Sequence, residues 1–427
     1  MADQPPTLTD QLLKFARTTP PQDAQAMMRL SLMDWAACGI AGAREADFTD
    51  FVRANRGGGD CTVFGGGTAG PAAAALVNGT LSHALDYDDT HFAHIGHPSV
   101  AVVPAVLALA QDVGAPMEDA VHAATLGVEA SIHVGLWLGR DHYQIGYHQT
   151  ATAGAFGATL ACARLLGLDK HQMRHALGLC ASMASGIKAQ FGTMAKPLNA
   201  GLAARTGVEA TLWGQAGMTA AADGLAGPLG FGPTHHGTGA EVTPGKSPWQ
   251  ILSISHKFHA CCHGLHAMLE ALRDADIDLA RIDTIRIRTH PRWMSVCNIT
   301  DPKTGLEAKF SYAQTAAMAL LGHDTGSIAS FTDAITQDAD ITALRARMRV
   351  NEDARLSETQ AEVFISMEGR EMRRFRHDLM APMTLDARSA KLRSKASALV
   401  GQAQADALWQ ATQGDDLAAL ISILSAG

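Results

Sequence analysis

Long apolar runs are missing from this chain of 427 residues, although 47% of it is hydrophobic. The longest clean run, Val100 to Ala110, has 11 residues and contains Pro104. A bilayer needs about 20 apolar residues in a helix, so no membrane span is expected. The opening Met-Ala-Asp-Gln-Pro-Pro has neither a basic n-region nor an apolar h-region, which predicts a cytoplasmic protein. Cysteine is scarce and odd in number: 7 scattered residues in a large chain argue for reduced thiols over a disulfide framework. Aromatics make up only 5%, and the net charge of −8 disfavours nucleic acid as a partner. Neither G-x-G-x-x-G after a strand nor a P-loop is found, and the glycines from Gly57 to Gly70 lack that context, so a nucleotide cofactor is not implied.

What the chain has in quantity is alanine, glycine and a local crowd of proton-transfer groups. At this length it has room for two domains. From Thr7 to about Trp213 the apolar spacing is helical, and Ala/Gly stretches such as Ala151 to Ala158 predict a tight bundle. Asp223 to Ser247 is dense in Gly, Pro, Thr and His and reads as a long surface connection or a lid, with a boundary near Ser255. Ile282 to Thr289 alternates as a strand, and Glu362 to Glu371 resembles two strands around a Glu-Gly turn. Helices are expected at Tyr312–Leu321 and near Ser327–Leu344, and again from 387. The fold class is mainly α with an inserted α+β domain: an all-helical domain from 1–254 completed by 387–427, and a smaller α+β domain at 255–386.

His83 to Pro98 packs four histidines, three aspartates and Thr90 into sixteen residues. Pro98 fits a loop entering a helix at Ser99. His91, His94 and His97 with Asp86, Asp88 and Asp89 raise a metal-dependent hydrolase as one class of reading, and Cys261, Cys262, His263 and His266 raise a second cluster. Neither has convincing ligand spacing, so no metal is expected. His148 stands before an Ala/Gly helix whose amino end suits an anion. Lys196, beside Pro197, reads by itself as a surface side chain.

The motifs Asn78-Gly79, His83, Asp86-x-Asp-Asp-Thr90 and His97-Pro98, then Gly146-Tyr-His148, Lys196-Pro-Leu198, Lys257 with Cys261-Cys262 and His266, and Lys309-Phe-Ser311, resemble in that order the MmgE/PrpD family. Its members dehydrate 2-methylcitrate, decarboxylate cis-aconitate or epimerise iminodisuccinate. The resemblance implies a helical domain with an inserted α+β lid, a homodimer, no cofactor, and a small di- or tricarboxylate substrate. It implies His97 as general acid/base with Asp86 and His148 in the catalytic set, Thr90, Lys196 and Lys257 as substrate contacts, and His266 at a helix start.

Three departures stand out. Thr90 to His97 is one residue longer than in the decarboxylase pattern, which leaves His94 as an alternative to His97. Cys262 stands where those enzymes have a histidine, with His263 beside it. Gln314 stands where they have a tyrosine, with Tyr312 two positions away. Those substitutions make a dehydratase-like lyase the first expectation, with epimerase and decarboxylase chemistry as the alternatives. The scheme itself requires lysines and histidines for abstracting a proton alpha to a carboxylate, and no nucleotide, flavin or metal.

Overall fold

Two helix starts in the first half, at Thr7 and Asp169, have side chains that accept from free N–H groups. Thr7 accepts from the Asp10 N–H while the Asp10 carboxylate accepts from the Thr7 N–H, a reciprocal cap that opens α1 (Leu8–Phe15). There follow α2 (Gln22–Gly42), α3 (Thr49–Ala54), α4 (Pro71–His83), α5 (Ser99–Val113), α6 (Met117–Ile145, broken at Gly139), α7 (Gln149–Leu165), α8 (Lys170–Met183), α9 (Ala195–Gln215) and the one-turn α10 (Phe231–Thr234). Two strands of two residues, β1 (Cys61–Thr62) and β2 (Thr68–Ala69), pair antiparallel ahead of α4. They are too short to alternate, so no periodicity announces them.

The structure is a computed structural model; it describes residues 6–369 and 372–425 and falls into two units, Met1–His256 with Val400–Gly427, and Lys257–Leu399. Among the described residues no helix is long and apolar enough to cross a membrane.

In the first unit, small residues let helices touch backbone to backbone. α4 lies on α9, and α7 on α6 and α9. A Cβ on Gly79 would stand 2.9 Å from Gly201 Cα, and one on Gly201 would stand 2.2 Å from the Leu76 carbonyl oxygen. Gly127 and Gly157 allow the same approach between α6 and α7, where a Cβ on Gly127 would lie 2.7 Å from the Gly157 oxygen. The α4/α9 contact brings the C-terminal end of α4, at His83, beside the first turn of α9, at Lys196. The Asp223–Ser247 connection is strapped to α6 by Thr238 N–H to Leu138 O (3.0 Å) and Gly239 N–H to Trp137 O (3.1 Å).

The second unit holds α11 (His266–Leu272), β3 (Ile282–Thr289), α12 (Pro291–Val296), α13 (Gly305–Ala308), α14 (Tyr312–Leu320), α15 (Ala339–Ala346), β4 (Met348–Glu352), β5 (Gln360–Met367), β6 (Met372–Asp378) and α16 (Leu385–Val400). The sheet order is β4-β3-β5-β6, with β3 and β4 parallel and the other pairs antiparallel. Along β3, Ile285 and Ile287 are buried while Arg286 and Arg288 point away from them, as the alternation predicts. The hairpin expected over Glu362–Glu371 is longer, spanning β5 and β6; Arg370 and Glu371 lie outside the described residues.

Two expectations are corrected here. The helix near Ser327–Leu344 is α-helical only in α15, after two 3-10 turns at Ile328–Ser330 and Ala334–Thr336, because Asp338 accepts from the Asp340 and Ile341 N–H groups and starts a new helix there. β4 follows α15 directly and was not anticipated, its five residues being too few for a clear period. The chain rejoins the first unit at Val400 and not at 387: Lys391 on α16 places its ammonium 2.6 Å from both Glu270 oxygens of α11 and keeps α16 with the second unit. α17 (Gln402–Gln413) and α18 (Leu417–Ser425) complete the helical unit, α17 against α2, where Arg29 donates to Thr412 O (2.8 Å) and Gly414 O (2.7 Å).

Two predictions follow from this packing. Gly201→Ala should lower the unfolding free energy by about 1–3 kcal/mol, the usual cost of overpacking a fixed backbone contact; unchanged urea denaturation would contradict the glycine-mediated α4/α9 approach. The second concerns acid. His91 and His94 are buried, and burial first of all lowers their folded-state pKa values to about 4 and about 3. In the unfolded chain both titrate near 6.5. Between about pH 6.5 and pH 3 the unfolded state therefore binds more protons than the native one, so stability is fully present above that window and is lost as the pH falls through it. Denaturation midpoints independent of pH between 7 and 4 would refute this.

Candidate active site

The site is built on the end of α4 and the loop that follows it. α4 ends at His83, the chain turns through Asp86 with φ +51°, and the loop closes with Ile95 at φ +56°. Left-handed backbone at non-glycine residues is costly, most of all for β-branched Ile95, and persists only where surrounding bonds enforce it. Those bonds are present. His91 N–H donates to Gly96 O and Ile95 N–H to His91 O, both at 2.9 Å. Thr90 and Ser255 exchange backbone bonds at 2.9 and 2.8 Å, and the Thr90 hydroxyl adds a third to Ser255 O at 3.1 Å. Asp89 receives the Ser99 hydroxyl (2.5 Å) and N–H (3.3 Å) and so tethers the loop to the first residue of α5.

Inside this frame Asp88 is buried between two imidazoles. His83 Nδ1 is 2.9 Å from Asp88 Oδ1, and His97 Nδ1 is 3.0 Å from Asp88 Oδ2, though off the line of a hydrogen bond. Burial works against the Asp88 charge, but His83 and His97 outweigh it and hold the carboxyl well below the usual carboxylate range. Burial lowers His83 to about 4 against the pull of Asp88, so His83 is neutral at pH 7. An ionised carboxylate only accepts, so His83 must carry its proton on Nδ1.

The opposite edge of His97 faces charge of both signs. Nε2 is 3.4 Å from Asp86 Oδ1, and the same oxygen is 2.6 Å from Lys196 Nζ on the first turn of α9. The side chain of Asp86 is 43% exposed and that of His97 12%. His148, at the N-cap of α7, makes no side-chain cap; its ring stacks on His83 at 5.9 Å, meets Phe191 edge-on at 5.0 Å, and Nδ1 is 3.3 Å from Asn199 Nδ2. Burial first, then the nearby His83 and Lys196, push His148 well below the usual histidine range. Lys196 also lies over the Phe191 ring at 5.6 Å.

Asp86, His97, His148 and Lys196 are thus gathered in one place, and Thr90 pins the loop that carries Asp86 and His97. His94 is not among them: a Cβ on Gly135 would lie 2.2 Å from its ring, which is sunk against α6 near Ser131. Among the described residues His91, His94 and His97 form no metal-spaced group. Among the described residues the group spaced to hold a metal is instead His83, Asp86, Asp88 and His97, each with one ligand atom within 4.8 Å of the others. The Lys196 ammonium already brings a positive charge against Asp86. Sequence reading had passed over His83 and Asp88 as a pair, and Asn199 and Phe191 altogether; the five-residue spacing from a helix-ending histidine to an aspartate was the available signal for the first two.

In the second unit Lys257 and His263 are buried and Cys262 is half-buried. His263 packs against His266, the first residue of α11, at 4.6 Å. Cys261, Cys262, His263 and His266 form no metal-spaced group among the described residues. Burial pushes the Cys261 thiol well up, as expected of an inert buried thiol. Gln314 is buried, its side chain donating to Ile335 O (3.1 Å) and accepting from Arg345 (2.7 Å). Tyr312 likewise donates to Gly264 O at 2.6 Å and meets Thr289 Oγ1 at 2.7 Å.

Several known proteins resemble this chain in sequence. A cis-aconitate decarboxylase of Aspergillus terreus is 32% identical over 275 residues, 60% of this chain and 56% of that protein. A cis-aconitate decarboxylase-like protein of Aspergillus oryzae is 31% identical over 276 residues, 59% of this chain and 57% of that one. Human cis-aconitate decarboxylase is 31% identical over 180 residues, 41% of this chain and 37% of its own length. The matches span little more than half the length of these relatives at most. Residues 7–241 match the MmgE/PrpD N-terminal domain and residues 259–416 the MmgE/PrpD C-terminal domain, and with both domains present in order the chain belongs to the MmgE/PrpD family.

Proposed function

We propose that the protein is a lyase acting on a small di- or tricarboxylate through a carbanion next to a carboxylate. The observation that carries the reading is the placement of the Lys196 ammonium, the Asp86 carboxylate and His97 Nε2 around one partly exposed point, with His97 backed by buried Asp88. A substrate carboxylate arriving at Lys196 competes with half-exposed Asp86 for the ammonium. The negative charge that develops on that carboxylate is then stabilised by a fixed cation, which acts most strongly where water is scarce.

His97 Nε2 takes the alpha proton or delivers one to the carbanion. Dehydration and epimerisation form the carbanion by loss of the alpha proton and resolve it by expelling the hydroxyl as water or by taking a proton back on the other face, whereas decarboxylation forms it by loss of carbon dioxide and resolves it by taking a proton. The relatives named cis-aconitate decarboxylase put cis-aconitate first among candidate substrates; the replacement of a histidine by Cys262 keeps a hydroxy acid of the 2-methylcitrate type second. Lys257, Cys262, His263 and Gln314 remain proposed substrate contacts on the strength of the family resemblance.

Incubating the protein with cis-aconitate, citrate and 2-methylcitrate in deuterated water, followed by NMR, tests the class. Product or deuterium incorporation from at least one is expected, and none from any would reject it. With the acid that reacts, His97→Gln should reduce kcat by about 10²–10⁴ with KM little changed, because it removes the titrating group while keeping size and polarity. Lys196→Met should instead weaken apparent binding by roughly 1.5–3 kcal/mol, the worth of a charge-assisted hydrogen bond. Equal KM in the Lys196→Met variant and the parent would remove that lysine from the carboxylate site.

A further inference from the structure

Resting on the reading of His97 as the proton carrier, we propose that Asp88 is its positioning residue: it keeps the His97 proton on Nδ1 and so leaves Nε2 as the reactive atom, while His83 clamps the carboxylate from the other side. Asp88 touches no point a substrate reaches, since its side chain is only 3% exposed. Both its oxygens face ring nitrogens, Oδ1 at 2.9 Å from His83 Nδ1 and Oδ2 at 3.0 Å from His97 Nδ1. A carboxylate offers acceptors alone, and Asp86 offers them to the other edge of His97, but at 3.4 Å and half-exposed, whereas Asp88 is buried and nearer at 3.0 Å, so hydrogen on Nδ1 is favoured in both rings around Asp88. His97 Nε2 is then a lone pair on the edge that faces Asp86 and Lys196, and the imidazolium formed when it takes a proton is stabilised by the carboxylate behind it.

His83 explains why Asp88 cannot turn away. It is fully buried at the end of α4, and its Nδ1 reaches both Asp88 oxygens, at 2.9 and 3.1 Å. The clamp gives a distinctive consequence for an amide. Asparagine at 88 presents one accepting oxygen and one donating nitrogen, whereas both rings present a donor. One ring must therefore move its proton to Nε2. His83 holds the shorter, better aligned contact, so the amide oxygen stays with His83 and His97 is the ring that switches.

The test uses the whole protein with 15N-labelled histidine, the His97 signals being those lost in His97→Gln. Long-range proton–nitrogen correlation should show His97 protonated on Nδ1 in the parent and on Nε2 in Asp88→Asn. With cis-aconitate, or whichever acid of the panel reacts, Asp88→Asn should lower kcat about 10²–10⁴ while KM stays within about threefold, in line with the effect of the wrong tautomer in a carboxylate–histidine pair. His83→Gln, which still donates to Asp88, should keep the His97 tautomer and retain kcat within about tenfold. A parent protein with the His97 proton on Nε2, or a folded Asp88→Asn protein with the tautomer unchanged, overturns the proposal; if Asp88→Asn does not fold, the parent tautomer and His83→Gln decide it. A switch of tautomer in a protein that acts on no acid of the panel would sustain the role of Asp88 and reject the lyase reading.

Discussion

The arrangement around the loop from His83 to Pro98 depends on a negative charge held in the interior. A buried carboxylate is expensive unless its oxygens are occupied, and leaving one unpaired costs more than the pair returns. Asp88 meets that condition with His83 and His97, so the positions of both rings follow from keeping it satisfied. The loop is then constrained at both ends: at its start by His83, the last residue of α4, and at its end by His97, one residue before Pro98 and the α5 cap. The left-handed backbone at Asp86 and Ile95 is what that double constraint leaves for the residues between.

The charge in turn needs helices that come close enough to enclose it. With only 5% aromatics the bundle lacks the bulk to fill wide gaps between helices. It closes the gaps by bringing backbones together at Gly79/Gly201 and Gly127/Gly157. The abundance of alanine and glycine and the scarcity of aromatics are thus one choice seen twice. The same α4/α9 approach delivers Lys196 and Asn199 to His83 and His148, so the close packing of the bundle and the geometry of the site share a cause.

How far the sequence could be read tracks the range of the interactions involved. Helices whose start lies in a local cap or period, such as α1, α5 and α14, and the alternating strand β3, were legible because neighbours in sequence decide them. β1, β2 and β4 were not, since they are too short for a period and exist by pairing with a distant partner. The break between the 3-10 turns and α15 was legible in principle from Asp338 and was overlooked. For the site, the resemblance pointed to Asp86, His97, His148 and Lys196, which the fold brings together, but composition made the three loop histidines look equivalent. Only the fold separates them: His94 fills the space that Gly135 leaves on α6, while His97 turns to Asp88. The surroundings of Gln314 were illegible for a related reason, its partner Arg345 lying 31 residues away.

The two aspartates that flank His97 differ mainly in their access to water, and that difference decides what each can do. Asp86 at 43% exposure is screened by solvent, so its contact with Lys196 is held weakly and can be exchanged for another carboxylate at small cost. Asp88 at 3% has no such freedom, because releasing either ring would strand a charge in low dielectric. One carboxylate is therefore suited to yield its cation to an incoming anion, and the other to stay put while His97 changes its protonation. Exchanging their environments would abolish both properties: a buried Asp86 would keep Lys196 for itself, and an exposed Asp88 would let His97 rotate and lose the distinction between its two nitrogens. The step from half-exposed Asp86 to buried Tyr87 and Asp88 is what lets one short stretch of chain both admit an anion and hold a base.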